Sequence, residues 1–340
     1  MVHEINDILI LGIETSCDET SAAVLAGGKR LLSHIVSSQI ATHQKYGGVV
    51  PEIASREHSL HFLPVVKEAL SQAGVSFSDL NGVAVTYGPG LVGSLLVGVS
   101  GAKAMAFAAG IPLIGINHLE GHIYANFLEH PDLTFPLLAL LVSGGHTHLI
   151  LLQKHGQYLA LGRTRDDAAG EALDKVARAL GLGYPGGPQI ERMAHAGNSG
   201  AFDFPRAMLE PDSLDFSFSG MKSAVLNTLN RALMKGETLF VPDLAASFQV
   251  AVVDVLVQKT VYALKRTKIK TLALAGGVAA NRLLRERLEQ ESKQRGVRLV
   301  CPSASLCTDN GAMIATAGYY HYLNGDFAGW TLNAVPGLDL

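Results

Sequence analysis

Two segments of this chain repeat one plan, an apolar run, a short polar turn and a second apolar run, and this duplication constrains the fold most. The first is DILILGIETSCDETSAAVL, residues 7–25, and the second is FPLLALLVSGGHTHLILLQ, residues 135–153. Each predicts a β-hairpin. The first turn, rich in Thr, Ser and acidic residues, is expected to be exposed, and the second turns on Gly144 and Gly145. The repeat is weak in letters and clear in pattern. Between the hairpins, VAVTY, a Gly-Pro-Gly turn, a small-residue stretch and PLIGI read as strand, helix and strand. The segment from Ile269 to Ser303 repeats that β-α-β order, with AGG before a helix expected to start near Ala279. Strands alternating with helices predict an α/β protein whose sheets are covered by helices.

A chain of 340 residues exceeds what one hydrophobic core usually organises, so two domains are expected. The boundary is placed in PDLTFP, residues 131–136. The first lobe is then 1–133 and the second 134–340, with a helix from about 308–325 expected to complete the first. Hydrophobic residues make up 48% and charged residues 17%, which excludes a disordered chain. The net charge of −3 gives no global attraction to polyanions, so nucleic acid would need a local basic patch or a basic partner. The densest basic runs, KRTKIK (265–270) and RLLRERL, read as solvated helix faces. Cys17, Cys301 and Cys307 form no even-numbered framework, which fits a reducing compartment and a cytoplasmic protein. The acidic start, MVHEIND, is unlike a signal peptide, and the longest clean apolar run, AMAFAAGIPLIGI, is shorter than a bilayer span, so no membrane segment is expected.

Several residues suit particular chemistry. His118 and His122 in NHLEGH would leave one face of a helix and could share an ion, although the chain holds 13 histidines and such a pair is often structural. Successive N–H groups at Gly144 and Gly145 could form an anion nest, and Gly276 and Gly277 let a ligand approach the backbone closely. A zincin peptidase would need H-E-x-x-H; here Glu120 is one position late and turned about 100° away, which disfavours that reading.

In order along the chain stand GIETSCDETSAAV (12–24), GGVVPEIASREH (47–58), TYGPGLVGSLLVG (86–98), NHLEGH (117–122), LLVSGGHTHL (140–149), DDAAGEALDKVARALGLGYPGG (166–187), FSFSGMKSAV (216–225), AGGVAANRLLR (275–285) and CTDNGAMIA (307–315). With these motifs the chain resembles the TsaD family, which forms threonylcarbamoyladenosine in tRNA and was long labelled as glycoproteases. The resemblance covers nearly the whole length. It implies the duplicated actin/Hsp70/sugar-kinase-like (ASKHA) fold, in agreement with the two hairpins.

The resemblance also implies site residues. His118, His122 and Asp309 would hold one divalent metal, Fe(II) first and Zn(II) second. Leu141, Val142, Ser143, Gly144, Gly145, Asp174, Gly187, Glu191 and Asn281 would line a site for an adenine nucleotide or threonylcarbamoyl-AMP. Asp174 has a bland alternative as an ion pair with Arg178, and Asn281 as a helix cap. Glu191 stands where many relatives carry Asp, and Leu141 where archaeal and eukaryotic relatives carry a metal-proximal Tyr, which implies the bacterial branch. His146, His148 and Glu14 are the candidates for proton transfer, beside the readings of a surface hairpin pair and a solvated turn acid. Lys222 is the single basic residue that the family motifs place near the cleft.

The implied reaction transfers L-threonylcarbamoyl from threonylcarbamoyl-AMP to N6 of adenosine 37 in tRNAs reading ANN codons. The implied partners are tRNA, a TsaB-like paralogue and a TsaE-like ATPase, with a homodimer when the chain is alone. The rival reading is a nucleotide-gated metal-binding scaffold or ATPase without transferase activity, since fold alone does not choose function.

Overall fold

The computed structural model describes residues 8–210 and 212–340, so the acidic start lies outside the described residues. The chain divides into two compact units, Met1–Leu133 with Pro302–Leu340, and Thr134–Cys301. The second unit therefore ends at Cys301 and does not run on to residue 340.

In the first unit, β1 (Leu9–Glu14), β2 (Glu19–Ala26), β3 (Arg30–Ser38), β4 (Gly82–Gly88) and β5 (Leu113–Asn117) form a sheet of order β3-β2-β1-β4-β5. β1 and β2 make the first hairpin, antiparallel from Leu9↔Ala26 to Glu14↔Ser21, while β4 joins β1 in parallel and β5 joins β4. β1 is a nearly unbroken apolar run because both of its faces are covered. Leu11 and Ile13 enter a core with Phe62, Val65 and Val66 from α1 (Pro51–Ala73) and with Val99, Ala102 and Ala106 from α2 (Val92–Ala109). On the other face lies the C-terminal helix, Gly311–Asn324, packed so closely on Gly12 that a Cβ there would sit 2.3 Å from Ala315 N and Gly311 O. α3 (His118–Glu129) follows β5 directly.

The second unit repeats the plan with β6 (Leu137–Val142), β7 (Thr147–Lys154), β8 (Gln157–Arg163), β9 (Thr271–Ala275) and β10 (Arg298–Val300) in the order β10-β9-β6-β7-β8. β6 pairs antiparallel with β7 and parallel with β9, as β1 does with β2 and β4. Its helices are α4 (Ala169–Ala179), α5 (Gly186–Ala194), α6 (Ser219–Lys235), α7 (Val241–Thr267) and α8 (Arg282–Gln294). Both hairpins and both β-α-β units are thus present.

Two expectations need correction. The first hairpin turn is buried, with Thr15, Ser16 and Asp18 at 0%, 2% and 5% exposure. Its polar groups are satisfied internally: Thr15 Oγ1 donates to Ser94 O at 2.9 Å, Leu91 N donates to Ser16 O at 2.8 Å, and Gln39 N donates to Asp18 O at 2.9 Å. A turn whose hydrogen bonds are met by other segments loses little by leaving water. The helix expected near Ala279 begins at Arg282, because Gly276 takes φ 89°, Gly277–Ala280 forms a 3-10 turn and Asn281 is extended.

α2 and α7 are long and apolar enough to cross a membrane by length and composition. Most of α7 is buried inside its unit, whereas only a third of α2 is buried, with Leu95, Val99, Ala102 and Ala106 turned into the core.

Candidate active site

In the first unit, Asn117 ends β5 and caps α3, its side chain accepting from Leu119 N at 2.9 Å. That cap starts the helix at His118 and sets His118 and His122 on one face, their ring centroids 4.6 Å apart and nearly edge-on. Asp309 comes from far along the chain. Asn310 caps the C-terminal helix by accepting from Met313 N at 2.9 Å, and Gly311 N donates to Ser21 Oγ of β2 at 2.8 Å, which fixes the preceding residue beside α3. Asp309 Oδ1 then lies 3.5 Å from His118 Nε2 and 3.2 Å from His122 Nε2. One ligand atom from each of the three residues lies within 4.8 Å of the others.

His122 is 1% exposed, and among the described residues its Nδ1 has no hydrogen-bond partner while its Nε2 faces only Asp309 Oδ1, at 3.2 Å. Buried imidazole nitrogens without partners are costly, whereas two imidazoles and a carboxylate on one point suit Fe(II) or Zn(II). The residues present fit a divalent ion. His118 differs from His122, because its Nδ1 lies 3.0 Å from Glu14 Oε2 and 3.1 Å from Ser16 Oγ. Burial alone would lower the His118 pKa, but the Asp309 and Glu14 carboxylates outweigh it and push it up to about 9. Burial would raise Glu14, but the charge and hydrogen bond of His118 hold it lower. Glu19 is pushed up to about 10 by burial and by the neighbouring Asp18 and Asp309 charges.

Glu120, the residue a peptidase would need at the metal, turns instead to the C-terminal helix, where its Oε1 lies 2.9 Å from His321 Nε2. Burial lowers the His321 pKa, but Glu120 and then Asp326 outweigh it, so the net shift is upward. The pair therefore adds stability that is full below the ordinary histidine value of about 6.5 and is lost as pH rises through the folded pKa. In urea unfolding, the advantage of wild type over His321→Gln is expected to be full below about pH 6.5 and to shrink as pH rises above it; an advantage that stays flat or grows with pH would refute this pairing.

The second unit gathers the other residues. Leu141 and Val142 end β6, and Ser143 Oγ accepts from His146 N at 3.2 Å. Gly144 and Gly145 are exposed, with open space where a side chain would stand. Asp174 Oδ1 accepts from Gly186 N at 2.6 Å, which ties α4 to the start of α5. Gly187 has only Leu173 Cδ1 near its missing side chain, at 3.9 Å. Glu191 Oε1 accepts from Arg282 N at 2.9 Å, and Asn281 caps α8 by accepting from Leu284 N at 3.0 Å, so the capping reading of Asn281 holds alongside any other role. A cavity of about 330 Å³ opens here, lined by Glu191, His195, Gln249, Arg282 and Glu286 among others. Gln249 is buried on α7 and its carbonyl oxygen has no hydrogen-bond partner among the described residues. Its signal in the sequence is one amide inside an apolar helical run. His146 and His148 stand edge to face in this hairpin, with centroids 5.6 Å apart.

Lys222 does not present a free cation. Its Nζ is 2.6 Å from Asp167 Oδ2, and Asp167 also binds Lys175 at 2.8 Å. Asp166 beside it caps α6, accepting from Phe218 N at 2.9 Å and Ser219 N at 3.2 Å.

The chain is similar to known proteins in both sequence and fold. The family model described as TsaD, tRNA N6-adenosine threonylcarbamoyltransferase, matches residues 30–316. A relative of that name from Desulfitobacterium hafniense (strain Y51) is 72% identical over 334 residues, covering 98% of each chain. Another, from Geobacillus thermodenitrificans (strain NG80-2), is 59% identical over 335 residues, covering 98% of this chain and 97% of the relative. Among solved structures, full-length HypF matches with a TM-score of 0.62 at 15% identity, covering 93% of this chain and 46% of HypF. The (R)-2-hydroxyglutaryl-CoA dehydratase component A of Acidaminococcus fermentans matches with a TM-score of 0.55 at 16% identity, covering 94% and 99%. These likenesses show the duplicated ASKHA fold alone. With the family model spanning most of its length and close relatives along nearly all of it, the chain belongs to the TsaD family of tRNA N6-adenosine threonylcarbamoyltransferases.

Proposed function

We propose that this chain transfers the L-threonylcarbamoyl group from threonylcarbamoyl-AMP to N6 of adenosine 37 in tRNAs reading ANN codons, forming t6A, and that His118, His122 and Asp309 hold one divalent ion for the reaction. Membership of the TsaD family carries the transferase activity. The convergence of two imidazoles and a carboxylate, with His122 buried and its Nε2 facing Asp309 at 3.2 Å, supports the ion. Fe(II) is the first choice and Zn(II) the second for such a donor set. When bound, the ion supplies Lewis acidity toward donor oxygens.

The acceptor amine is a weak nucleophile because its lone pair is delocalised into the purine. A bond forms between N6 and the carbamoyl carbon. The bond from that carbon to the phosphate oxygen breaks, AMP leaves with the electron pair, and N6 gives up one proton. His146 and His148 are the proposed proton acceptors. In the second unit the strand end Leu141 to Ser143 delivers the Gly144 and Gly145 N–H groups, which stabilise negative charge on the AMP phosphate. Asp174 accepts from ribose hydroxyls, Gly187 leaves room for the nucleoside, and Glu191 and Asn281 supply polar contacts to it. Because Gly187 meets little at the place of a side chain, Gly187→Leu is expected to keep the melting temperature of wild type while weakening AMP binding at least about tenfold, about 1.4 kcal/mol. Calorimetric titration beside a thermal melt checks this; unchanged AMP affinity would remove Gly187 from the nucleotide site.

The protein works in the cytoplasm, and its net charge of −3 calls for tRNA binding shared with a TsaB-like paralogue and a TsaE-like ATPase, with a homodimer when the chain is alone. The deciding experiment supplies freshly made threonylcarbamoyl-AMP and unmodified tRNA to the chain with its bacterial partners and weighs the digested nucleosides. Threonylcarbamoyladenosine appearing only when this chain is present supports the proposal. Its absence with intact donor, beside a working control enzyme, overturns it.

A further inference from the structure

We infer that Glu14 is a positioning residue for the ion: it holds His118 as the tautomer protonated at Nδ1, so that Nε2 is the nitrogen offered to the metal. The inference rests on the ion-binding reading above. A carboxylate is an acceptor only, so the 3.0 Å contact between Glu14 Oε2 and His118 Nδ1 requires the proton to sit on Nδ1. When the ion displaces the Nε2 proton, the lone pair of the ring is then on Nε2, the nitrogen that faces Asp309 at 3.5 Å. A carboxylate behind a ligating imidazole fixes its orientation and makes it a stronger donor.

Glu14 is itself held on three sides. It is fully buried at the end of β1, the middle strand of its sheet. Thr86 Oγ1, from the adjacent β4, donates to Oε2 at 2.6 Å, and the backbone N–H of Ser16 donates to Oε1. A carboxylate on a central strand, with donors from a neighbouring strand and from its own turn, cannot swing away from the histidine it faces. His122 has no comparable anchor, since its Nδ1 meets no hydrogen-bond partner. The two histidines are therefore unequal: His118 is fixed before an ion arrives, and His122 is set by the ion. This gives a buried acid of the first hairpin turn a specific task, one that leaves it outside the reacting atoms.

The test uses the full chain and Zn(II) alone, competed against a chromophoric chelator, with nitrogen-detected NMR of the histidine rings as a second readout. Glu14→Gln keeps the size but brings an amide N–H₂ against either Ser16 N–H or the Thr86 and His118 donors, so one bond must fail. It is expected to weaken Zn(II) binding about 10- to 100-fold and, in the Zn(II)-loaded protein, to lose the single Nδ1-protonated form of His118. Thr86→Val, which keeps the carboxylate and removes one donor, is expected to lose severalfold, and it decides the matter if Glu14→Gln does not fold. Wild-type protein that binds Zn(II), with both variants within twofold of it and His118 still protonated at Nδ1, would overturn the inference. Wild-type protein that binds no Zn(II) would defeat the ion-binding reading first, and this inference with it.

Discussion

Protein carrying His122→Ala is expected to fold, to bind no stoichiometric metal and to make no t6A. Ordinarily, removing a fully buried ring would be a severe lesion through the cavity it leaves. Here part of that loss is offset, because the buried Nδ1 that is removed has no hydrogen-bond partner among the described residues. A loss of about 1–2 kcal/mol in folding stability follows. Metal affinity is a different matter. Loss of an outer residue behind a ligand costs about 10- to 100-fold, and loss of one of three protein ligands must exceed that. Denaturant unfolding, metal analysis and nucleoside analysis on one preparation separate the two effects. A variant that folds and keeps its metal would take His122 out of the site.

The largest effect on stability is expected at Gly12. A methyl group there would sit 2.3 Å from Ala315 N and Gly311 O, both backbone atoms of the C-terminal helix, so no side chain can move aside. Gly12→Ala is expected to cost about 3 kcal/mol or more, beyond the usual range for overpacking, because a whole helix must shift. That helix starts two residues after Asp309, so metal affinity should fall in the same variant. Gly220→Ala is the control. It lies in α6 with open space around the missing side chain, and the change should be neutral or stabilise by up to about 1 kcal/mol. If Gly12→Ala unfolds at the same denaturant concentration as wild type, the close packing of the C-terminal helix on β1 is wrong.

What could be read from the letters was mostly local. Apolar runs on either side of a Gly-Gly or Ser/Thr/acid turn marked both hairpins, and strand, glycine turn, helix and strand marked both β-α-β units, because period and turn residues act over a few positions. Burial of the first turn was not legible. The groups that satisfy Thr15 and Ser16 come from Ser94 and Leu91, and nothing near residue 15 announces them. The start of α8 was missed by three residues because Gly276 and the extended Asn281 delay it.

The site divides in the same way. The spacing of His118 and His122 was visible on a helix, but Asp309 joins them from another part of the chain, and only the resemblance to a known family brought it in. Glu14 could be named as an interesting acid, yet its contacts to His118 and Thr86 depend on strand order, which pairs β1 with β4 across 72 residues of sequence from Glu14 to Thr86. Lys222 looked like a cation for tRNA until its partner Asp167 was in view. Gln249 needed the cavity beside it before its buried amide meant anything.

The central claim is that threonylcarbamoyl transfer depends on metal held by His118, His122 and Asp309. It is tested most directly by stripping the wild-type chain of metal, returning Fe(II) or Zn(II) in measured steps, and weighing t6A made from threonylcarbamoyl-AMP and tRNA with the partner proteins at each step. The account predicts no t6A from the stripped chain and a yield that rises with bound metal to a plateau at one ion per chain, a rise that Asp309→Ala does not show. Full t6A formation by the metal-free chain would contradict it.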